Sequence, residues 1–216
     1  LRAPAMLAKQ AASLDVLSGG RFELGLGAGA FWDAIVAMGG PLRAGGQALQ
    51  ALDEAMQIIR AFWRGTRPLT VQGEHYRVRG LQPGPMPAHP IEIWLGVIKP
   101  RALALTGRSA DGWVPSLSYV PPRAVPESAQ RIDEAAVAAG RDPAAIRRVY
   151  NVNGLIVDGP TRGLLQGSPR HWVETLTTFA VELGFDTFIL WPDADPLEQL
   201  ERFANEVVPE LRAAAG

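Results

Sequence analysis

The sequence of 216 residues contains no cysteine. This absence excludes a disulfide framework, thiolate ligands for zinc or an iron-sulfur cluster, and a cysteine nucleophile. It fits a reducing compartment, and we expect the protein to be cytoplasmic. Long apolar runs are also missing, because the longest, such as 34–38, have about five residues against the roughly 18–20 of a membrane span. We therefore expect no association with a membrane.

Charge of one sign is not in excess. The chain has 21 Lys and Arg against 22 Asp and Glu, which leaves a formal net charge of -1. A basic footprint for nucleic acid is therefore excluded, and we expect no nucleic-acid partner. Hydrophobic residues make up 47% and charged residues 20%, as in an ordinary globular protein whose length allows a sizeable core.

An initiating methionine is absent as well. Leu1 and the three residues that follow it form neither the start of a signal peptide nor an evident strand. We expect that the native chain extends upstream of Leu1.

Segments typical of helices and strands alternate along the chain. Apolar periodicity and proline or glycine at the ends predict helices over 4–17, 47–64, 100–109, 126–140, 168–183 and from 195 onward. Alternating or apolar runs predict strands over 21–27, 91–97, 112–117, 147–157 and 185–191. This order predicts one parallel-sheet α/β domain over 1–216. Its five strand-helix units fit an open doubly wound sheet as well as part of a barrel.

Three local features accompany this pattern. Short alternating runs around Gln72 and Gly73 predict a hairpin at about 69–79, inserted between a helix and the next main strand. The spacing of Asp195 and Glu198 predicts a capping box at the start of the last helix. Pro209 predicts a kink near the end of that helix.

A glycine run at 25–29 follows the first predicted strand. Glycines let backbone amides approach an anionic group without obstruction by a Cβ atom. A dinucleotide fingerprint needs G-x-G-x-x-G before a helix and an acidic residue about 20 positions later. This run reads G-x-G-x-G, and the nearest acidic candidate, Asp53, lies inside a predicted helix. A tight turn without ligand and a dinucleotide-binding open sheet stay open as alternatives.

A second candidate site spans the end of the strand at 91–97. Gly96 ends this strand and Pro100 begins a helix beside two cations, Lys99 and Arg101. A helix amino terminus, free amides and a guanidinium all favour a phosphate group. Solvated loop charges are the alternative for both cations.

Two further groups of residues are candidates for a site. Asp111 and Trp113 fit a site mouth, and equally a helix end followed by a core tryptophan. The histidines at 75, 89 and 171 have no partner at metal-ligand spacing, so we expect no metal site. No serine stands in a G-x-S-x-G elbow.

Several motifs stand in a characteristic order along nearly the whole chain. They occupy residues 8–9, 13–29, 55–63, 73–76, 90–96 and 110–113. In this order and combination they resemble the bacterial luciferase-like family of flavin- and deazaflavin-dependent oxidoreductases. The resemblance implies a (β/α)8 TIM-barrel fold, here an incomplete barrel with about strands 4–8 and their helices. The site would then lie at the carboxyl ends of the strands.

The resemblance also implies a function and its site. It implies an oxidoreductase or monooxygenase that transfers hydride between FMN or coenzyme F-420 and a small organic substrate. It implies that the cofactor ring or its side chain is lined by Gly27, Ala28 and Gly29. It implies that the cofactor phosphate is held by Gly96, Val97 and Arg101.

Two positions depart from the family pattern. Val97 stands where a second glycine is frequent, and its side chain narrows the expected phosphate cradle. Ala30 stands where deazaflavin-dependent dehydrogenases often carry a glutamate, so that proton donor is missing. Catalytic residues from strands one to three cannot be assigned on this chain.

The expected partners are a small-molecule substrate and a second copy of the chain in a homodimer. A second functional hypothesis is a truncated, catalytically silent homologue that binds a ligand or partner protein. Open strand edges of an incomplete barrel would favour pairing with another chain.

Overall fold

The computed structural model describes residues 2–43 and 46–215. The chain forms two compact units. Unit 1 comprises the described residues up to Val97 together with Ser109–Asp111, and unit 2 comprises Ile98–Arg108 and the described residues from Gly112 onward. Within the described ranges, no helix is both long enough and apolar enough to cross a membrane.

Unit 1 combines helices with one parallel strand pair and one hairpin. Its elements are α1 (Pro4–Ser18), β1 (Leu24–Leu26), α2 (Trp32–Ala37), α3 (Gly46–Trp63), β2 (Leu69–Gln72), β3 (Arg77–Leu81) and β4 (Ile93–Leu95). Strands β1 and β4 pair in parallel, with Leu24 opposite Ile93 and Leu26 opposite Leu95. The carboxyl ends of these two strands are therefore neighbours.

Helix α1 begins and ends as the sequence predicts. Pro4 occupies the first turn, and Gly19 ends the helix in a left-handed conformation. Leu14 and Leu17, two of the apolar residues whose spacing predicts this helix, do not lie on its buried face, because they are 50% and 83% exposed. The packed face consists instead of small residues and one carboxylate, namely Ala8, Ala11, Ala12 and Asp15. Small side chains allow close approach, and the Trp63 indole N–H donates to the Ala8 carbonyl oxygen at 3.0 Å.

The predicted hairpin is present in unit 1. Strands β2 and β3 pair antiparallel, with Gln72 opposite Arg77. The carboxylate of Glu54 on α3 accepts backbone N–H groups from three turn residues, Glu74, His75 and Tyr76, at 2.9–3.2 Å. One helix side chain therefore satisfies the donors of the turn and fixes the hairpin on α3.

Unit 2 is built around one long central strand. Its elements are α4 (Pro100–Ser109, whose last residue belongs to unit 1), β5 (Gly112–Trp113), α5 (Val125–Ala138), β6 (Arg147–Ile156), β7 (Gln166–Gly167), α6 (Pro169–Leu183), β8 (Thr187–Pro192), α7 (Pro196–Arg202) and α8 (Val208–Ala215). Strand β6 pairs in parallel with β5, β7 and β8. The longest ladder joins β6 to β8 from Val149–Thr187 to Gly154–Pro192.

Large aromatic side chains form the core of unit 2. Trp113, Tyr150 and Trp172 are completely buried. The Tyr150 ring stacks on Phe185 with centroids 4.1 Å apart, and Phe179 meets the Tyr150 ring edge-on. Offset and edge-on contacts of this kind stabilise a core beyond simple area burial.

Local structure in unit 2 departs from the predictions at three places. Strand β5 has two residues rather than six, since Pro115 cannot donate to a ladder, although Ser116 still bridges to Asn151. Strand β7 was not predicted. The predicted capping box is wrong, because Asp195 adopts φ 43° and its side chain caps no N–H. A π-helical turn, Phe203–Val207, lies directly before α8, which contains Pro209, and the kink at Pro209 stays a prediction.

Candidate functional site

The glycine run ends β1 and opens onto a cavity of unit 1. Gly27, Ala28 and Gly29 all line this cavity, whose volume is about 230 Å³. Gly96 lies beside them, since its N–H donates to the Leu26 carbonyl oxygen at 2.8 Å. The structure therefore brings together four of the predicted cofactor-binding residues at the carboxyl ends of β1 and β4.

Aromatic and cationic side chains complete the wall of this cavity. Trp32 and Tyr76 contribute rings, and Arg2 and Arg43 contribute guanidinium groups. The Arg43 guanidinium carbon lies 5.2 Å from the centroid of the Tyr76 ring, within cation–π range. No acidic side chain lines the cavity within the described part of unit 1. This arrangement favours an electron-rich or anionic ligand over a cationic one.

Backbone strain is concentrated where the cavity meets α2. Gly29 has φ 104°, and a Cβ atom there would lie 3.0 Å from the Trp32 ring. Phe31, which precedes α2, has φ 54°, a conformation that non-glycine residues rarely adopt. Gly29 is therefore required both for its own backbone conformation and for the position of Trp32.

The size of the cavity limits what it can hold. Sites for small molecules typically measure roughly 300–1,000 Å³, against about 230 Å³ here. The cavity therefore fits part of a large cofactor, such as one ring system or its side chain. Exposed backbone at Gly27 and Gly29 leaves room for close approach by that part.

The remaining two predicted residues lie elsewhere. The Val97 side chain is only 6% exposed and does not line the cavity, so it packs in the core of unit 1. Arg101 lies exposed in the first turn of α4, in unit 2. The first turn of α4 is formed by backbone N–H groups of Ala102 and Leu103 that donate to the Lys99 carbonyl oxygen. A phosphate role for Val97 and Arg101 stays a prediction.

Asp111 has a structural role in unit 1. Its Oδ2 accepts the Arg60 guanidinium at 2.8 Å and the Ile93 backbone N–H at 2.9 Å. Trp113 is completely buried. Of the two interpretations from sequence, a helix end followed by a core tryptophan describes these residues.

His89 lies in a network of acidic groups that sequence reasoning missed. Its Nδ1 is 2.7 Å from Asp15 Oδ1, and its Nε2 is 3.0 Å from Glu23 Oε1. Glu23 also accepts the Glu92 backbone N–H. Because Glu23 and Glu92 directly precede β1 and β4, the network lies at the amino ends of these strands, where barrel residues serve stability. The part of the chain that the structure describes contains no group of His, Asp and Glu arranged to hold a metal ion.

Trp32, Arg43 and Tyr76 are cavity residues that sequence reasoning also missed. Tyr76 belongs to one of the motifs that carry the family resemblance, and Trp32 follows the glycine run within three residues. The motif around Tyr76 and the glycine run before Trp32 were therefore the sequence signals that could have identified these two residues. No sequence signal marks Arg43, because it meets Tyr76, 33 positions later in the chain, only through tertiary structure.

Curated relatives of the chain include enzymes whose names give coenzyme F-420 as the cofactor. An F-420-dependent glucose-6-phosphate dehydrogenase from Beutenbergia cavernae is 26% identical over 97% of this chain and 74% of its own length. A phthiodiolone/phenolphthiodiolone dimycocerosates ketoreductase from Mycobacterium sp. (strain JLS) is 33% identical over 96% of this chain and 53% of its own length. A silent binding homologue is therefore not favoured.

Solved structures with little sequence identity share the fold. An F-420-dependent secondary alcohol dehydrogenase superposes with a TM-score of 0.81 at 17% identity, over 97% of this chain and 75% of that one. The long-chain alkane monooxygenase LadA gives a TM-score of 0.81 at 14% identity, over 98% and 67%. These likenesses confirm the predicted fold class, an α/β fold of the TIM-barrel type in which this chain represents an incomplete barrel.

The sequence profile of one family matches most of the chain. The match to luciferase-like monooxygenase covers residues 1–162. It includes the glycine run, the hairpin and the paired strands β1 and β4. The chain belongs to the luciferase-like monooxygenase family.

Proposed function

We propose that the protein is an oxidoreductase that transfers hydride between coenzyme F-420 or FMN and a small organic substrate. The observation that carries this proposal is the cavity at Gly27, Ala28 and Gly29 in a chain of this family. When bound, the cofactor supplies the hydride chemistry, and the protein supplies binding and orientation. Ala28 and the two glycines are assigned to the ring or its side chain.

The polar groups around the cavity fit this assignment. Arg2 and Arg43 place two positive charges on its wall, and Tyr76 and Trp32 supply flat apolar surface. Both features suit a cofactor that combines a planar ring system with an anionic side chain.

The phosphate roles that the family resemblance implies for Gly96, Val97 and Arg101 are part of this proposal. Arg101 has an exposed side chain in the first turn of α4, and a helix amino terminus favours an anionic group. A homodimer and a cytoplasmic location remain predictions that accompany this function.

Cofactor binding is the direct test. The purified chain is titrated with F-420 and, separately, with FMN, and binding is followed through the fluorescence of each cofactor. We expect saturable binding of at least one of them. Absence of binding by both at micromolar concentration would overturn the proposal.

A matched pair of variants locates the site. Ala28→Leu fills part of the cavity and should raise the dissociation constant about tenfold or more. Ala37→Leu adds the same side chain at an exposed position of α2 that does not line the cavity, and should leave binding unchanged. Equal losses in both variants would contradict the assignment of Ala28.

Oxygen consumption distinguishes the two reaction types of the family. With reduced cofactor present, a monooxygenase consumes oxygen in proportion to product, whereas a dehydrogenase turns over anaerobically. We expect hydride transfer to continue without oxygen. Strict oxygen dependence would overturn hydride transfer to the substrate and favour monooxygenation.

A further inference from the structure

Strand β6 in unit 2 carries two asparagines on one face. Asn151 and Asn153 are separated by two positions, so their side chains point to the same side of the sheet. Tyr150 and Val152 point to the opposite side and are completely buried. Asparagine is depleted in strands, and sheet faces inside barrels are usually filled by branched apolar side chains. Two amides at these positions therefore call for an explanation other than packing.

The two amides take part in an ordered group of polar side chains. Asn151 Nδ2 donates to Ser116 Oγ at 3.2 Å, and Asn151 Oδ1 accepts the Trp191 indole N–H at 3.3 Å. Asn153 Nδ2 donates to Asp193 Oδ1 at 3.4 Å. A side-chain amide has two N–H donors and two acceptor positions on its oxygen. Counting the bonds within the described residues, each amide therefore retains one N–H and acceptor capacity for a ligand.

A cavity of about 260 Å³ lies over this group, entirely within unit 2. We call it the amide pocket, and its lining residues are Ser116, Ser118, Asn151, Asn153 and Trp191. All of them are uncharged. Trp191 is 61% exposed, although tryptophan is usually well covered. Its hydrogen bond to Asn151 orients the ring, so the pocket has one flat apolar wall.

We propose that the amide pocket binds an uncharged, polyhydroxylated ring compound, a neutral sugar in the first instance. Hydroxyl groups both donate and accept, as do the asparagine amides and the serines that line the pocket. The indole face of Trp191 suits the C–H face of such a ring. Among the described residues, no cation lines the pocket to hold a phosphate or carboxylate, and Asp193 beside Asn153 repels anions.

The inference concerns binding within unit 2 and does not rest on the proposed reaction. Binding itself requires no cofactor. The two proposals can therefore fail separately. If the chain binds the sugar but neither cofactor, only the proposed reaction is wrong. If it binds a cofactor but no sugar, only the proposal for the amide pocket is wrong.

The test uses matched pairs of probes on the cofactor-free chain. Methyl glycosides of glucose, galactose and mannose are each compared with the corresponding methyl glycoside of the uronic acid, which adds one carboxylate to the same ring. Binding is read from the NMR resonances of the Asn151 and Asn153 side-chain amides and of the Trp191 indole N–H. We expect at least one neutral glycoside to shift these resonances and to bind about tenfold or more tightly than its uronate. If no neutral glycoside binds, or if every uronate binds as well as its neutral match, the proposal is wrong.

Variants assign the binding to the pocket. Asn151→Leu removes the amide that joins Ser116 to Trp191, and Trp191→Leu removes the apolar wall at an exposed position that folding tolerates. Each should weaken sugar binding about tenfold or more. Asn205→Leu, at an exposed asparagine elsewhere in unit 2, is the control and should bind like the native chain. Unchanged binding by Trp191→Leu would overturn the proposal.

Discussion

Nδ1 of His89 lies 2.7 Å from Oδ1 of Asp15, a carboxylate that is completely buried in unit 1. The second oxygen of Asp15 accepts the backbone N–H groups of Ala88 and His89 at 2.7 and 3.1 Å. Glu23 accepts from the other side of the imidazole. A residue of α1 thereby holds the proline-rich loop before β4, and the imidazole joins two carboxylates.

The charge state of this network predicts how stability depends on pH. The hydrogen bond to Glu23 raises the pKa of His89, burial opposes this, and Asp15 raises the pKa further, so that the net pKa exceeds the ordinary 6.5. A raised folded-state pKa stabilises the fold below the unfolded pKa, and this contribution is lost as pH rises through the folded value. We expect the free energy of unfolding from urea titrations to fall as pH rises above 6.5. His89→Gln should flatten this decline, whereas His171→Gln should retain it.

The same network predicts that the free energy of unfolding falls as the pH drops in the acid range. Burial raises the pKa of Asp15, but the hydrogen bonds from His89 and Ala88 outweigh it and bring the pKa below the ordinary 3.8. A lowered folded-state pKa gives stability that is present above the unfolded value and lost as pH falls through the folded one. The difference in free energy of unfolding between the native chain and Asp15→Asn should therefore be smallest at the lowest pH. A constant difference between the two proteins from neutral pH to acid would contradict this role.

Local pattern was sufficient to predict most helices. Helix α3 was predicted at 47–64 and runs over Gly46–Trp63, because its apolar spacing is a property of consecutive residues. The same holds for α4 and for α6, whose Ser168 cap accepts the His171 backbone N–H. Helix α1 shows where prediction from local pattern ends. Its boundaries follow from Pro4 and Gly19, whereas its buried face depends on how closely α3 packs against it.

The candidate site was only partly predictable for the same reason. The glycine run followed a predicted strand and could be assigned from sequence, whereas Arg43 and Tyr76 meet through tertiary structure. Asp15 and His89 are 74 positions apart, and although Asp15 stands in the motif at 13–29, nothing in that motif points to His89. The asparagines of β6 did offer a signal, since two amides at alternate positions of a predicted strand oppose the usual apolar pattern.

Glu54 provides a test of how the hairpin is held. Its carboxylate accepts three backbone N–H groups in the turn, and burial, which raises the pKa, is outweighed by these bonds, so the pKa of Glu54 is lowered. In Glu54→Gln one acceptor oxygen is replaced by a donor, so the turn should open more often. We expect faster amide hydrogen exchange at Glu74 and His75. Asp53→Asn, at the neighbouring position, should leave their exchange unchanged.

Tyr150 provides a test of the core of unit 2. Its buried hydroxyl donates to the Val120 carbonyl oxygen, and burial raises the pKa of Tyr150 far above its ordinary value. Tyr150→Phe keeps the ring stack on Phe185 but leaves the carbonyl without this donor, at a cost of about 1–2 kcal/mol. Tyr119→Phe alters a 69% exposed residue and should change the free energy of unfolding by less than about 0.5 kcal/mol. Chemical denaturation measures both, and equal effects would show that the buried hydrogen bond does not stabilise unit 2.

Gly29 links backbone conformation to the shape of the cavity. Gly29 and Gly39 both have positive φ angles, 104° and 79°, so alanine is strained at either position. Only at Gly29 does a new Cβ meet a neighbour, the Trp32 ring at 3.0 Å, while the space around Gly39 is open within 4 Å. Both variants should therefore lose stability, by about 1–2 kcal/mol each.

Cofactor affinity should separate these two variants. In Gly29→Ala the Trp32 ring must move within the cavity wall, and we expect the dissociation constant for the bound cofactor to rise about tenfold. In Gly39→Ala the ring keeps its place, and the dissociation constant should stay within about twofold of the native value. Because backbone strain is common to both, the difference between them isolates the contact with Trp32. Equal affinities for the two variants would show that the position of Trp32 does not govern binding, and that the cofactor contacts unit 1 outside this cavity.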